Sequence, residues 1–332
     1  MTSVSIIVPC FNEEAHINGL LEALNAQTYR AEDTEVVIAD GMSTDSTRDV
    51  VRQYAHDHPA LDLNLVDNPK RSIPSAVNVA VTAAKGNIIL RLDGHSQPYP
   101  DYVERCVRAL QEGLGENVGG VWEIRAGGEG WIARSIAVAA SHPLGVGDAL
   151  YRHATIPAYV DTVPFGCFRR DLFQQLGGFN EDLLTNEDYD FNARIRQSGG
   201  RIWLDPKIRS VYFARESLGA LFRQYWRYGF WKYRMLRRLP STLRWRQALP
   251  PLLVGSLLLG LVLAWISAIR AFFIVELGLY LFALIVAGMA AAYKRRSPSL
   301  ILGLPLAIAC MHLSWGGGFI WSMIAGNRAT PK

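Results

Sequence analysis

An aspartate and a histidine separated by one glycine, Asp93-Gly94-His95, close the apolar run at residues 88–92. A carboxylate and an imidazole so spaced can hold one divalent cation, and that cation can hold a diphosphate. Ile88, Ile89, Leu90 and Leu92 suit a short strand buried on both faces. The triplet falls at the strand's carboxyl end, where open α/β sheets place their ligands. Taken alone, Asp-Gly is more often an ordinary turn, so the elements around it decide its meaning.

Those elements alternate. Residues 4–10 (VSIIVPC) form an apolar, β-branched run expected as a buried parallel strand. A loop through Phe11, Asn12, Glu13 and Glu14 leads into a helix to Gln27, with Leu20, Leu21 and Leu24 inward. A second strand, residues 35–39, ends at Asp40. Ser43, Thr44 and Asp45 are N-cap types for the next helix, and Asp40 itself reads equally as a capping residue. A third strand at 61–66 and a helix opening at Ile73-Pro74-Ser75 lead back to the Asp93 strand. This alternation predicts a doubly wound, mostly parallel sheet.

Further on, 100–113 is an amphipathic helix and 118–124 a strand. Residues 131–140 read as helix, and 145–159 have no clear period. Residues 161–168 are extended, followed by a short helix ending at Gly177-Gly178. Asn186-Glu187-Asp188-Tyr189-Asp190 opens a helix to Gln197; acids at a helix start are also what a plain N-terminal cap would use. Residues 201–204 and 208–213 read as two short strands around Asp205-Pro206.

The 332 residues leave room for a large domain plus an appendage, and the net charge of +4 is unevenly spread. After Glu216 the sole acid is Glu276, so the final third is basic and apolar. Met1 leads almost directly into a strand, so no signal peptide is expected. Cys10, Cys106, Cys167 and Cys310 are scattered without metal spacing and read as reduced thiols. From Ser217 to Arg238 rings and cations interleave, a composition suited to a membrane surface or, on charge alone, to nucleic acid. The C-terminal segments favour the membrane: residues 249–269, 271–293 and 299–326 are each long and apolar enough to span it. Lys294-Arg295-Arg296 and the basic helix lie on the cytoplasmic side if the first two spans form a hairpin turning at Arg270. Gly316-Gly317-Gly318 is a candidate break that would make the third span re-entrant. Glu276 reads as an intramembrane functional group, as an interfacial residue or as a partner for Arg270.

Five stretches occur together and in order: SIIVPCFNEE, VIADGMSTD, DGH, NEDYD and RQYWRYG. In that order and spacing residues 3–235 resemble the GT-A domain of family 2 glycosyltransferases. The whole chain is most similar to the succinoglycan-biosynthesis (ExoA-type) branch. The resemblance implies a GT-A, Rossmann-like catalytic domain over 1–216 and interface helices over 217–248 with a QxxRW-like motif. It also implies a transmembrane region over 249–326.

It further implies roles. Pro9, Phe11 and Glu13 match the loop that holds the nucleotide base and ribose, and Asp40 matches an acceptor for a uracil-like N–H. Asp93 and His95 match the family's DxD metal site, with histidine for the second aspartate. A nitrogen ligand shifts preference from Mg²⁺ toward Mn²⁺. The cation would neutralise the departing diphosphate. Asp188 matches the general base and Glu187 a neighbour that orients it; one base opposite the leaving group implies inversion. Phe165-Gly166-Cys167 matches the acceptor side. Gln224, Arg227 and Tyr228 match QxxRW, with tyrosine for tryptophan, a diphosphate contact for which arginine's fork is suited. Lys70 or Arg71 is a looser match to the same charge.

The implied protein is an inverting glycosyltransferase with a nucleotide-sugar donor, UDP-linked, and a lipid-linked saccharide acceptor. No nucleic acid partner is expected. It would be a multi-pass protein of the cytoplasmic membrane with its catalytic domain in the cytoplasm. Two alternatives stand beside it: a processive polysaccharide synthase, for which three spans are few, and a catalytically inactive membrane scaffold.

Overall fold

The computed structural model describes residues 3–326. Two compact units form: residues up to Glu123 together with Ala154–Tyr212, and Ile124–His153 together with Phe213 onward. In chain order the first unit opens with β1 (Val4–Cys10), α1 (Ile17–Asn25), β2 (Thr34–Asp40), α2 (Thr47–Asp57), β3 (Asp62–Asp67), α3 (Ile73–Ala83) and β4 (Ile88–Arg91). The short β5 (Gln97–Pro98), α4 (Tyr102–Gln111) and β6 (Asn117–Ala126) come next, and the last residues of β6 pass into the second unit. There the chain forms α5 (Trp131–Ala139) and α6 (Pro143–Val146). It returns through β7 (Ala158–Val160), β8 (Cys167–Arg169), α7 (Arg170–Gln175), α8 (Glu187–Gln197) and β9 (Ile202–Ala214). Finally come α9 (Leu218–Arg238), α10 (Trp245–Val262), α11 (Ser267–Arg295) and α12 (Leu300–Ala325).

The sheet runs β3-β2-β1-β4-β8-β6-β9-β5, with β7 also on β9. The first four strands are parallel, as their helical crossovers require. β1 is buried along its whole length, which its unbroken apolar run anticipates. It carries Pro9 without loss. Leu92 N–H bonds Ile7 O, so every second residue of β1 faces β4, and Pro9 falls past the last pair, Ile7 with Arg91. The sheet is mixed rather than mostly parallel. β8 is inserted antiparallel to both β4 and β6, which run the same way across the α4 crossover. Gly120 allows the close approach of β6 to β9: a Cβ there would lie 1.8 Å from Ile208 O.

Three local expectations change. The two strands expected around Asp205-Pro206 are one, β9, which bends through the proline without breaking. Ser43 and Thr44 do not cap α2 but hold the neighbouring loop, while Asp45 Oδ1 accepts from Thr47 N–H at 3.1 Å at the helix start, next to the N-cap position Ser46. The stretch 145–159 is loop apart from the end of α6, one 3₁₀ turn and the start of β7.

In the second unit α12 packs along α9, α10, α11 and α5. Its glycines set the distance. A Cβ on Gly318 would lie 2.2 Å from Trp226 O of α9, and one on Gly316 2.4 Å from Pro250 O of α10. On the α9 side a Cβ at Gly229 would lie 2.0 Å from Trp315 O. Gly316-Gly317-Gly318 is therefore a packing seam within a continuous helix, not a break. α10, α11 and α12 are each long and apolar enough to cross a membrane. The first turn lies at 263–266, so Arg270 sits inside α11 rather than in the turn. Glu276 does not pair with Arg270; its Oε1 accepts from Ser256 Oγ of α10 at 2.5 Å, and Oε2 has no partner. Before α10, Asp148 binds Arg244 at 3.0 Å and also binds Arg246, fixing the loop after α6.

Candidate active site

The carboxyl ends of β1, β2 and β4 carry the candidate donor-side residues. The loops after β1 and β2 are sewn together. Asn12 N–H donates to Ser43 Oγ at 2.9 Å, Thr44 N–H to Asn12 Oδ1 at 2.9 Å, and Glu13 N–H to Thr47 Oγ1 at 2.8 Å. Glu14 closes the seam by accepting from Ser46 N–H at 2.9 Å. Phe11 stands on this rim, exposed, with its ring edge against Gly41. Pro9 is buried beneath it.

Asp40 is placed differently from expectation. It is wholly buried, and both oxygens are engaged: Oδ1 by Ser43 Oγ at 2.5 Å, Oδ2 by Ser43 N–H at 3.0 Å and Arg48 at 2.8 Å. It is not presented as an open acceptor. The other arm of Arg48 bonds Asp67 at 2.8 Å, and the Asp67 side chain is 59% exposed. β2 and β3 pair so that Asp40 and Asp67 stand side by side.

The β4 end brings Asp93 and His95 to the same rim. Glu13 Oε1 lies 2.8 Å from His95 Nδ1. A carboxylate facing Nδ1 favours the tautomer protonated there. Gly94 lets the turn lie close to Glu13, whose Cγ would be 3.2 Å from a Cβ at this position. Among the described residues no set of three or more carboxylate, imidazole or thiol groups forms a complete metal cage. Asp93 and His95 together offer one oxygen and one nitrogen donor, both side chains partly exposed. That set fits a cation taking its remaining ligands from a bound diphosphate and water. Cys10 lies under this corner, and burial, with Glu13 next, pushes its thiol up to about 12, keeping it neutral.

The acidic pair arrives from the far half of the sheet. Asn186, in the left-handed region at φ 67°, starts α8 and turns Glu187 inward. Glu187 is buried and Asp188 half-buried. Asn192 ties the helix to the sheet, accepting from Asn117 Nδ2 at 2.6 Å and donating to Thr162 Oγ1 at 3.0 Å. Asn117 also lies against Gly166, where a Cβ would come within 2.7 Å of its Oδ1. Phe165 and Gly166 both have positive φ, 63° and 98°, and Gly166 O accepts from Arg91 N–H at 3.0 Å. The Phe165-Gly166-Cys167 turn is therefore built onto the end of β4 beside the acidic helix.

Arg91, which no sequence motif marks, joins these halves. Its Nη2 donates to Asp93 Oδ1 at 3.0 Å and its Nη1 lies 3.2 Å from Glu187 Oε1. Burial opposes its charge, but Asp93, Glu187 and Asp188 outweigh that and hold the guanidinium above its ordinary range. Burial pushes Glu187 up to about 7 in spite of Arg91, and burial likewise raises Asp188. Asp93, Glu187 and Asp188 thus surround one cation in a poorly solvated setting, where proton affinities separate and acid–base chemistry becomes available near neutral pH. The only sequence signal for Arg91 is a charge inside an otherwise apolar strand.

Lys70 is paired with Glu181 at 2.7 Å, and Arg71 has φ 54° in the turn before α3. Gln224, Arg227 and Tyr228 lie in the second unit, on α9. Gln224 Nε2 donates to the Tyr228 hydroxyl at 3.0 Å, and Arg227 is exposed one turn along.

Comparisons with known proteins agree with this architecture. Residues 5–177 match the model of glycosyl transferase family 2. The chain is 33% identical over 327 residues to the succinoglycan biosynthesis protein ExoA of Rhizobium meliloti, covering 96% of this chain and 94% of that protein. It is 28% identical over 333 residues to a Methanococcus voltae dolichyl N-acetyl-alpha-D-glucosaminyl phosphate 3-beta-D-2,3-diacetamido-2,3-dideoxy-beta-D-glucuronosyltransferase, covering 98% and 99%. A solved mannosyltransferase from Pyrobaculum calidifontis, in complex with GDP-Man and Mn²⁺, superposes with a TM-score of 0.60 at 21% identity, over 93% of this chain and 86% of that one.

A GT-A-like mixed α/β sheet with acidic residues at its strand ends, followed by three apolar helices, defines a glycosyltransferase with a C-terminal helical region. The chain belongs to glycosyl transferase family 2, and it is similar to relatives named for succinoglycan biosynthesis and for transfer to a dolichyl-phosphate-linked sugar.

Proposed function

We propose that the protein is a membrane-anchored, inverting glycosyltransferase that moves a sugar from a UDP-linked donor to a polyprenyl diphosphate-linked saccharide at the cytoplasmic face. The observation that carries this reading is the arginine bridge: Asp93 and Glu187, 94 positions later in sequence, meet on one buried guanidinium. That bridge supports reading the donor-side carboxylate and the acidic pair as one site.

Asp188 takes the proton of the acceptor hydroxyl, and Glu187 stays turned toward Arg91. A carboxylate so placed contributes about 10²–10⁴-fold. Inversion results from having one base opposite the leaving group. Phe11 and Glu13 flank the nucleoside, and Asp40 acts through Arg48 and Ser43, which it orients. Asp93 and His95 hold a divalent cation, Mn²⁺ in preference to Mg²⁺ on account of the nitrogen ligand, which supplies positive charge for the diphosphate as it departs. Phe165-Gly166-Cys167 lies on the acceptor side. Gln224, Arg227 and Tyr228 are assigned to the diphosphate.

The lipid-linked acceptor is supported by the three apolar helices and by the Methanococcus relative's dolichyl phosphate-linked acceptor. The arrangement proposed is a catalytic domain to residue 216, interface helices to 248 and a membrane region to 326, with exopolysaccharide assembly as the setting.

A panel of UDP- and GDP-linked sugars, with Mn²⁺ or Mg²⁺, tests the donor. The expected result is nucleotide release and thermal stabilisation with a UDP-sugar and Mn²⁺, at a ligand excess of about 100 Kd giving about 2.7 kcal/mol. Neither release nor stabilisation with any member, from protein that is folded in detergent, overturns the reading. A GDP-sugar as the only active donor corrects its nucleotide. Long polymer made by the purified protein would replace single addition with processive synthesis.

A further inference from the structure

We propose that Arg91 is a positioning residue coupling the two ends of the site: its guanidinium spans Asp93 and Glu187, so that Glu187 holds the arginine back from Asp93 when a cation occupies that carboxylate, and Asp188 is left to face the acceptor. The inference rests on the transferase reading, with a cation at Asp93.

The geometry supports a shared and movable arginine. Arg91 is buried on β4, and its side chain lies over the Phe179 ring, 5.7 Å from the centroid. The Asp93 contact is a hydrogen bond at 3.0 Å, whereas Nη1 meets Glu187 at 3.2 Å as an ion pair without hydrogen-bond alignment, and Nε has no bond at all. A buried guanidinium with unsatisfied N–H groups has more to gain by shifting toward whichever carboxylate is free. Asp93 is required by two claimants, the arginine beside it and a cation. Among the described residues Glu187 has the arginine as its one ion-pair partner. The helix that carries it is tied to the sheet through Asn192, which keeps the α8 start in place beside Arg91. Glu187 therefore acts as the counter-ion that receives Arg91 when Asp93 is taken.

This divides the two adjacent acids by position. Glu187 points into the interior, where Arg91 holds it. Asp188, next in the chain on the first turn of α8, is the less buried of the two and forms no ion pair with the arginine among the described residues.

The test is UDP binding to the full chain in detergent, measured calorimetrically with Mn²⁺ and again with EDTA. In Glu187→Gln the arginine has lost its second partner and competes for Asp93. The Mn²⁺-dependent affinity falls by about 5- to 20-fold, the lower part of the usual range of site-to-site coupling, while the affinity in EDTA stays within about 2-fold. In Arg91→Met combined with Glu187→Gln the competitor is gone, and the Mn²⁺-dependent affinity returns to within about 3-fold of wild type. If that double variant does not fold, Arg91→Lys with Glu187→Gln replaces it. A lysine's single ammonium cannot fork onto two carboxylates, so about half of the loss, on a logarithmic scale, is recovered. Unchanged Mn²⁺-dependent binding in Glu187→Gln, or a loss that persists in full when Arg91 is also replaced, overturns the coupling. Wild-type protein that binds UDP no better with Mn²⁺ than with EDTA overturns the metal-site reading beneath it, which is a different result.

Discussion

Arg48 and Asp40 form the tie that fixes the β2 end: Nη1 lies 2.8 Å from a carboxylate that is wholly buried, while Nη2 reaches Asp67 on the neighbouring strand. One arginine thereby sets the spacing of two strand ends and the loop that Asp40 organises through Ser43.

Removing that arginine strands a buried charge. Arg48→Met is expected to destabilise the protein by about 3 kcal/mol, because Asp40 keeps its place but loses its cation. Asp67→Asn removes only the exposed end of the pair and is expected to change stability by under about 1 kcal/mol. Thermal denaturation of the two variants side by side checks the contrast, and equal losses would mean that Asp67, not Asp40, is the partner that matters.

The contact between His95 and Glu13 makes a second claim. Glu13→Gln replaces the carboxylate that sets the imidazole tautomer and is expected to weaken Mn²⁺ binding by about 10-fold. His95→Asp restores an all-oxygen pair and is expected to shift preference from Mn²⁺ toward Mg²⁺. Competition titrations followed by Mn²⁺ electron paramagnetic resonance measure both. An unchanged preference in His95→Asp would remove the imidazole from the ligand set.

Asp188→Asn is expected to reduce transfer by about 10²–10⁴-fold while leaving UDP binding nearly intact. Steady-state turnover and calorimetry of the same preparation separate the two. Unchanged turnover excludes Asp188 as the base.

The pH dependence of stability carries a definite sign. Folded Glu187, raised to about 7 from an ordinary 4.5, binds a proton more tightly than it does in the unfolded chain. Between those values the native state holds the extra proton, so this group's contribution to stability declines as pH rises from about 4.5 to 7. Glu187→Gln is expected to flatten that decline, seen as a Tm that falls less across the window than in wild type. Turnover runs the opposite way: the raised Asp188 must be ionised to accept a proton, so activity climbs with pH.

In the helical unit, Gly318→Val places a branched side chain where a Cβ alone would come within 2.2 Å of Trp226 O. Separation of α9 from α12 is expected, with a loss of about 1–3 kcal/mol or more. Gly278→Val, at a glycine with open space around it, is the control and is expected to be silent in a detergent melt.

Much of this was legible in the sequence because its causes are local. The β-branched runs at β1 and β2, the strand–helix alternation and the three long apolar segments each follow from side-chain type and period over a few neighbours. Asp93-Gly94-His95 was visible by residue type and spacing, and Asn186-Glu187-Asp188 by family resemblance. What only the tertiary structure decided is who meets whom. β8 inserts antiparallel between β4 and β6, and no period in its three residues announces that. Glu13 meets His95 from 82 positions away, and Arg91 meets Glu187 from across the sheet. Asp40, a capping residue by type and a base acceptor by family resemblance, is enclosed because Ser43 and Arg48 close over it. Gly316-Gly317-Gly318, a break by propensity, is a continuous helix because neighbouring backbones need the room that a side chain would fill. A chain encodes its propensities residue by residue, but the energy of a buried charge or a close backbone contact depends on partners that only folding brings within reach.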